Sequence, residues 1–488
     1  MVQLPISIFR LAWRREIVAA FAVTVLAGCA LSTPPGHEEI VGDALPKGTT
    51  VPSTWKADSA DGTVAGDWLE TLNDPTLEAL VFEAMANNRD LAQAGERVRV
   101  AQQAVVVAGA RLLPQVGAQL GGRTTRDEDH DDPFNSAVAY AGVAWELDVW
   151  GRLRSQRAAV AASATATALD YAYARQSIAA TVAKAWYLAC EARQLLVLAE
   201  QAVKVYDELL ALVQFRQKAG KSTDLDVVDA STRLALARAN VELARAAYGQ
   251  ARRALEVLLG RYPAAEIEAA AAFPALPPPP GAGAPASLLE RRPDLAAAEQ
   301  RVLAAFRQKE SARLALLPGF SISLLGGRLG DQLLATLQLN PWLATAAIGM
   351  SVPIYEGGAL KARVEIATAQ QAQAVAAYGA AALSAFGEVE NALANEQLIA
   401  RRLPYEEAAL ADSTKAVRIA TFQYQAGRRD FLWVSNLQAE QIAIHAGVIK
   451  ARGQQRTNRI NLYLALGGGL KEEPVAGGRP PAVQASGE

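Results

Sequence analysis

One short plan occurs twice in this chain: ARLLPQVGAQLGGR at 110–123 and LALLPGFSISLLGGR at 314–328. In each copy a helix-like run stops at Leu-Leu-Pro, and a short alternating stretch then leads to Gly-Gly-Arg. Internal repetition constrains a fold strongly, because each copy must build the same kind of unit. Pro114 and Pro318 are 204 positions apart, as are Asp90 in NNRDL and Asp294 in RRPDL. Further along, QKAGKSTDLDVV at 217–228 matches YQAGRRDFLWVS at 424–435, with Gly220 and Gly427 separated by 207. Gly260 and Gly467, at the ends of LLG and ALG, keep the offset of 207. Two halves, 74–270 and 287–467, therefore share one plan. Between them 271–286 opens with AAFPALPPPPGAGAP, whose prolines cannot continue a helix, so an extended linker is expected.

Each half is expected to begin with a helix, at 75–111 and 286–316. Asp74 with Pro75 behind it, and Ser287, are the N-cap candidates. Strands follow Pro114 and Pro318. Very long helical stretches come next, about 152–217 and 359–425, each roughly 100 Å at 1.5 Å per residue. Helices of that length need partners, and the segments after the Gly220 and Gly427 turns supply them, running to Gly260 and Gly467 as antiparallel coiled coils. The tail, 468–488, has the composition of disorder.

The first 28 residues read as an address. Arg10, Arg14 and Arg15 precede IVAAFAVTVLAG at 17–28, an apolar run of 12 residues, well short of the roughly 20 that span a bilayer. Leu26-Ala27-Gly28-Cys29 resembles a bacterial lipobox, which makes Cys29 the lipidated first residue of the mature chain, followed by an extended segment at 29–73. The alternative is an ordinary signal peptide with an incidental cysteine. In such lipoproteins an Asp at position 30 favours inner-membrane retention; Ala30 stands there, so the outer membrane of a Gram-negative cell is expected. Acyl chains anchor a protein without making it span.

The alternating stretches carry the spanning argument. In GVAWELDVW at 142–150, Val143, Trp145, Leu147 and Val149 point one way, and Gly142, Ala144, Glu146 and Asp148 the other. The 207 offset carries this face onto Met350, Val352 and Ile354. Phe320, Ile322 and Leu324 alternate likewise, as do Val116, Ala118 and Leu120. On the strands alone a soluble half-buried sheet remains as open as a membrane sheet. A lipidated chain with two hairpins, each strand about 9–12 residues, favours tilted transmembrane strands. Four strands cannot close a barrel, and lipid does not tolerate open edges, so chains must share one sheet. Three chains supply twelve strands. Glu146 and Asp148 then face the lumen, and Trp145 and Trp150 suit lipid or interface positions. The acidic segment TRDEDHDDPFNS at 125–136 is no calcium loop: Asp127, Asp129 and Asp131 fit positions 1, 3 and 5, but Asp132 and Val138 stand at 6 and 12. It reads as a solvated connection.

The chain has 488 residues, 51% of them hydrophobic, with a net charge of −2, and no basic stripe for nucleic acid. His37, His130 and His445 are never paired at metal-ligand spacing, and Cys29 and Cys190 make neither a disulfide framework nor a zinc site. Cys190 in AWYLACEAR reads as a small buried helix residue. No nucleophile–base arrangement or phosphate loop is present, so neither an enzyme nor a cofactor is expected.

SLLERRPDLAAAEQRVLAA at 287–305 resembles the TolC-like outer-membrane factors, in their NodT/OprM-type lipoprotein branch. WLETLNDPTLEALVFEAMANNRDLAQAGERV at 68–98, VPIYEGGALKARV at 352–364 and the two AG turns add to the resemblance, which covers about 66–467. It implies a mainly α protein with a transmembrane β-barrel portion: a homotrimer with one twelve-stranded barrel, continued by an α-helical tunnel of long coiled coils. It implies a periplasmic adaptor, an inner-membrane exporter of the proton-driven RND type, and an exit duct for drugs and small toxic compounds. A protein-secretion channel, or a coiled-coil scaffold that never spans a membrane, are the rival readings.

In such channels the coiled-coil turns form a periplasmic tip that closes the tunnel. Here Leu225 and Leu432 match the apolar constriction, with Asp226, Asp229, Trp433 and Asn436 around it. The family commonly places Asp where Asn436 stands, making a ring that selects cations. This chain departs from that pattern, with Asp229 the nearest substitute. Lys218, Gly220, Lys221, Gly427, Arg428 and Arg429 form a basic collar expected to meet the adaptor.

Overall fold

The computed structural model describes residues 32–470, apart from 58–61, 63, 65, 126–133, 331–335 and 338–341. The signal peptide 1–28, Cys29, most of the acidic segment 125–136 and nearly all of the tail 468–488 lie outside the described residues.

Two compact units divide the chain. One comprises Met1–Thr49, Glu96–Asp170 and Asp294–Ala381; the other comprises Thr50–Gly95, Tyr171–Pro293 and Ala382–Glu488. In order, the elements are α1 His37–Ala44, α2 Trp68–Thr71, α3 Pro75–Asn87, α4 Arg89–Ala110, β1 Gln115–Thr125, β2 Phe134–Leu147, α5 Arg152–Lys218 and α6 Asp224–Leu258. After the linker come α7 Leu288–Arg291, α8 Pro293–Leu314, β3 Gly319–Gly330, β4 Leu343–Ser351, α9 Ala359–Gln425 and α10 Phe431–Ala465. The long helices α5 and α9 each contain 67 residues, and their partners α6 and α10 each contain 35.

Each expected opening helix is two. Asp74 caps α3 as anticipated, its Oδ1 accepting from Leu77 N at 3.0 Å, but α3 stops at Asn87. Asn88 is extended and uses both ends of its amide: its Oδ1 accepts from Leu91 N at 3.0 Å at the start of α4, and its Nδ2 donates to Leu258 O at 2.8 Å at the end of α6. In the second half the break falls at Arg292, extended because the proline behind it disfavours the helical region. Asn88 and Arg292 are 204 apart, so different chemistry interrupts both halves at one place. Ser287 caps nothing; its Oγ donates to Ala284 O at 2.7 Å. Segment 29–73, expected to be extended, contains α1 and α2, the latter capped by Asp67.

In the first unit four strands form one antiparallel sheet in the order β1-β2-β3-β4. The hairpins β1–β2 and β3–β4 are joined by β2–β3, where Val143 faces Leu324 and Trp145 faces Ile322. Directly opposed residues share a face. One face therefore carries Val116, Leu120, Val143, Trp145, Leu147, Phe320, Ile322, Leu324, Ile348 and Met350, with Arg328 near the far end of β3. The other carries Gln115, Gln119, Tyr140, Glu146, Ser321, Ser323, Thr345 and Ser351, together with Leu325 and Leu343. On the apolar face Val116, Ile348 and Met350 are exposed. β1 and β4 are the edges, each bonded to one neighbour among the described residues.

The strands end sooner than the alternation suggests. Asp148 is not on the sheet face with Glu146: β2 stops at Leu147, and the Asp148 carboxylate accepts from Leu153 N at 2.8 Å and Arg154 N at 2.9 Å. It thus satisfies two of the orphan amides at the start of α5. Val149 lies beyond the strand for the same reason. Val352 and Ile354 lie past the end of β4, where Pro353 has no N–H to offer a ladder. Trp145 Nε1 donates to Leu112 O at 2.9 Å and Trp150 Nε1 to Pro318 O at 2.8 Å, so both indoles are tied where helix meets sheet.

In the second unit a core forms around Trp186, Tyr187, Leu255 and Tyr463, with Trp68 stacked on Tyr463 at 5.8 Å. Cys190 is buried there, as expected, and burial pushes its thiol up to about 11. Two arginines that no sequence pattern singles out hold the Pro-rich linker. Arg456 donates to Pro274 O at 2.6 Å and lies over the Phe273 ring. Arg459 donates to Pro277 O at 2.5 Å and Pro278 O at 2.9 Å while pairing with Glu396 at 2.5 Å. No helix among the described residues is long and apolar enough to cross a membrane.

Candidate functional site

The turns joining α5 to α6 and α9 to α10 lie in the second unit, and their sequences dictate sharp reversals. Gly220 and Gly427 sit at φ +70° and +74°, where a side chain is disfavoured. Thr223 then caps α6 in a reciprocal box with Asp226: Asp226 N donates to Thr223 Oγ1 at 3.2 Å, and Thr223 N donates to Asp226 Oδ2 at 2.8 Å. Asp430 caps α10, accepting from Trp433 N at 2.9 Å.

Below the turns the four helix ends pack around one cluster that includes Tyr206, Val213, Leu234, Tyr424, Phe431 and Val434. Tyr424 meets Phe431 edge-on at 6.0 Å, its hydroxyl lies 2.9 Å from Ser222 Oγ, and the Arg216 guanidinium covers its ring at 4.5 Å. Arg216 Nη1 also donates to Gln425 O at 3.0 Å, tying one turn to the other. Burial raises the Tyr206 phenol, with Arg233 working against it.

The expected aperture residues separate into two groups. Leu225 and Leu432 project unburied, 75% and 54% exposed. The polar members are engaged. Asp226 belongs to the cap, and Trp433 lies under the Arg429 guanidinium at 4.8 Å. Asp229 Oδ2 accepts from Arg233 Nε at 3.0 Å and from Ser435 Oγ at 3.3 Å, while Arg233 Nη2 donates to Asn436 Oδ1 at 2.9 Å. Arg233 thus joins Asp229 of α6 to Asn436 of α10. Sequence reasoning did not single it out, although its i+4 spacing from Asp229 was a readable signal. A carboxylate at 436 would leave this group with one negative charge; with asparagine it is neutral. The collar residues Lys218, Gly220, Lys221, Gly427, Arg428 and Arg429 are all exposed at the turns. Glu146 lies on the polar sheet face in the first unit, 2.6 Å from Arg152 Nη2. Among the described residues no three His, Cys, Asp or Glu side chains are grouped to hold a metal.

The family model for outer membrane efflux proteins matches residues 80–261 and 284–468. The chain is 31% identical to the pyoverdine export outer membrane protein OpmQ of Pseudomonas putida, over 92% of this chain and 96% of that one. It is 29% identical to the probable efflux pump outer membrane protein TtgC of Pseudomonas putida, covering 95% and 98%. The solved outer-membrane channel OprN superposes with a TM-score of 0.78 at 26% identity, over 88% of this chain and 99% of that one.

Proposed function

The chain belongs to the outer membrane efflux protein family, and from that premise we propose that three copies form the outer-membrane duct of a tripartite efflux system. The observation that carries this reading is the sheet. One face is mostly apolar, with Arg328 near the far end of β3; the other is mostly small or polar, with Leu325 and Leu343 on it. Among the described residues both edge strands are open. An open edge in lipid leaves backbone groups without partners. β1 of one copy against β4 of the next removes every edge, and twelve strands lie within the range of such barrels. The apolar face then meets lipid, and Glu146 faces water.

The long helix pairs continue the duct toward the inner membrane, and the turns form its periplasmic end. Leu225 and Leu432 ring the aperture, and Arg233 holds α6 to α10 behind them. An adaptor that favours parted helices over packed ones shifts the balance toward the open state by its differential affinity for the two. The exposed Lys218, Lys221, Arg428 and Arg429 give it an anchoring surface. Transport through the duct is passive, with no catalytic step; drugs and other small toxic compounds arrive from an RND-type pump in the inner membrane. Cys29 carries the lipid.

Light scattering of the detergent-extracted particle, with the detergent contribution subtracted, tests the reading. A mass of three chains is expected. A monomer, or a protein released without detergent once its lipid is removed, overturns it.

A further inference from the structure

We propose that Glu310 is a positioning residue that clamps the N-terminal arm and thereby sets where the lipid on Cys29 enters the membrane, at the base of the sheet. The proposal rests on the reading of Cys29 as lipidated. Its evidence lies within the first unit. Ser32, three residues after Cys29, is fastened from several directions. Its N–H donates to Glu310 Oε1 at 2.7 Å, and its hydroxyl donates to the same oxygen. Glu310 Oε2 accepts from Arg307 Nη1 at 2.7 Å and from the buried Ser155 Oγ at 3.2 Å, and Arg307 Nη1 also donates to Ser32 O at 2.8 Å.

The Glu310 side chain is only 12% exposed. Burial alone would raise its pKa, but the bonds from Ser32 and Arg307 outweigh burial and hold it below the usual carboxylate range. Withdrawing a carboxylate from water to hold an exposed serine costs free energy unless every oxygen is satisfied, as here. A merely trailing terminus needs no such seat.

The direction of the arm says what the seat is for. From Ser32 the chain runs back along α8, away from the sheet. His37 Nδ1 lies 2.7 Å from Glu299 Oε2, and Ile40 packs against Val302 and Tyr378. At Gly379 the backbone carbonyl of Ala44 comes so close that it leaves no room for a Cβ. Ser32 itself is held at the foot of the sheet. Glu310 is nine residues before β3, and Ser155 is in the first turn of α5, just after β2. Three residues reach at most about 11 Å. The acyl chains are therefore tethered close to the base of the sheet, which raises the effective concentration of each at the same membrane.

The test uses the full lipidated chain in liposomes with nitroxides at Thr33→Cys and Arg313→Cys, both exposed positions; Cys190 is buried. With the labelled chain diluted into an excess of unlabelled chain, so that a trimer carries at most one labelled copy, electron–electron double resonance is expected to give one narrow distance distribution. Glu310→Ala should broaden it at least twofold. So should Ser32→Pro, which removes the N–H from an exposed arm and leaves helix packing alone. Arg99→Ala, elsewhere on the surface, should not. The depth of the Thr33 label, from its accessibility to oxygen and to a nickel chelate, should be single-valued in the parent and spread in both arm variants. A broad distribution in the parent, or an unchanged one in both variants, overturns the clamp. An N-terminal peptide whose mass lacks acyl chains overturns the lipid reading and the proposal with it, while the distances still report the clamp, so the two failures are distinguishable.

Discussion

Replacing Arg459 with methionine should destabilise the second unit by about 3–5 kcal/mol, the range for removing one partner of a buried ion pair. Arg459 is 2% exposed, and three acceptors lose their donor at once: Glu396 and the carbonyls of Pro277 and Pro278. Among the described residues Glu396 then keeps Asn458 Nδ2, at 3.0 Å, in a buried site without its guanidinium partner. Removing both charges together, as Arg459→Met with Glu396→Leu, takes away the uncompensated carboxylate. A coupling of at least about 2 kcal/mol between the two substitutions should follow. The assay is the loss of far-ultraviolet helical signal in guanidinium, extrapolated to water from micelles. Limited proteolysis is the companion, since Arg459→Met frees the carbonyl anchors of the linker and should open a cleavage site near 277–280. If Arg459→Met costs under about 1 kcal/mol, or the two substitutions simply add, the linker is not held as described.

Asn436→Asp should shift the reversal potential of the channel in planar bilayers toward cation selectivity, because Arg233 can neutralise only one of two carboxylates; no shift would remove this group from the permeation path. Glu256 is buried, which alone would raise its pKa, but N–H donors from Ala265, Glu266 and Ile267 lower it below its ordinary value. A depressed folded pKa contributes stability that is complete above the unfolded value of about 4.3 and is lost as pH falls through the folded one. Glu256→Gln should therefore flatten the acid limb of a stability–pH curve. Cys190, buried and with its thiol at about 11, should resist maleimide at neutral pH until the protein unfolds, and rapid labelling of the native protein would contradict the packing around Trp186 and Tyr187.

Legibility followed the range of the interaction. Periodicity and the 204 and 207 offsets located three strands, the end of the fourth, both long helices and both turns, because side-chain alternation and helix propensity act over a few residues. Leu225 and Leu432 could be placed beside the turns by counting from Gly220 and Gly427. The helix expected at 286–316 runs straight through Pro293, although a proline stops a helix at the residue before it, and the break it makes lies where Asn88 makes its own. What tertiary structure alone decided was the choice among partners. Asp148 continues the alternation of β2 yet belongs to the start of α5, because unpaired amides at a helix N-terminus compete successfully for a carboxylate. Val143 pairs with Leu324 across 181 positions, a register no local pattern contains. Arg233 has its acceptors on two helices, and Arg459 has its own on the linker and α9. A guanidinium's donors are the same in every sequence; which acceptors they meet depends on which backbones the fold brings together.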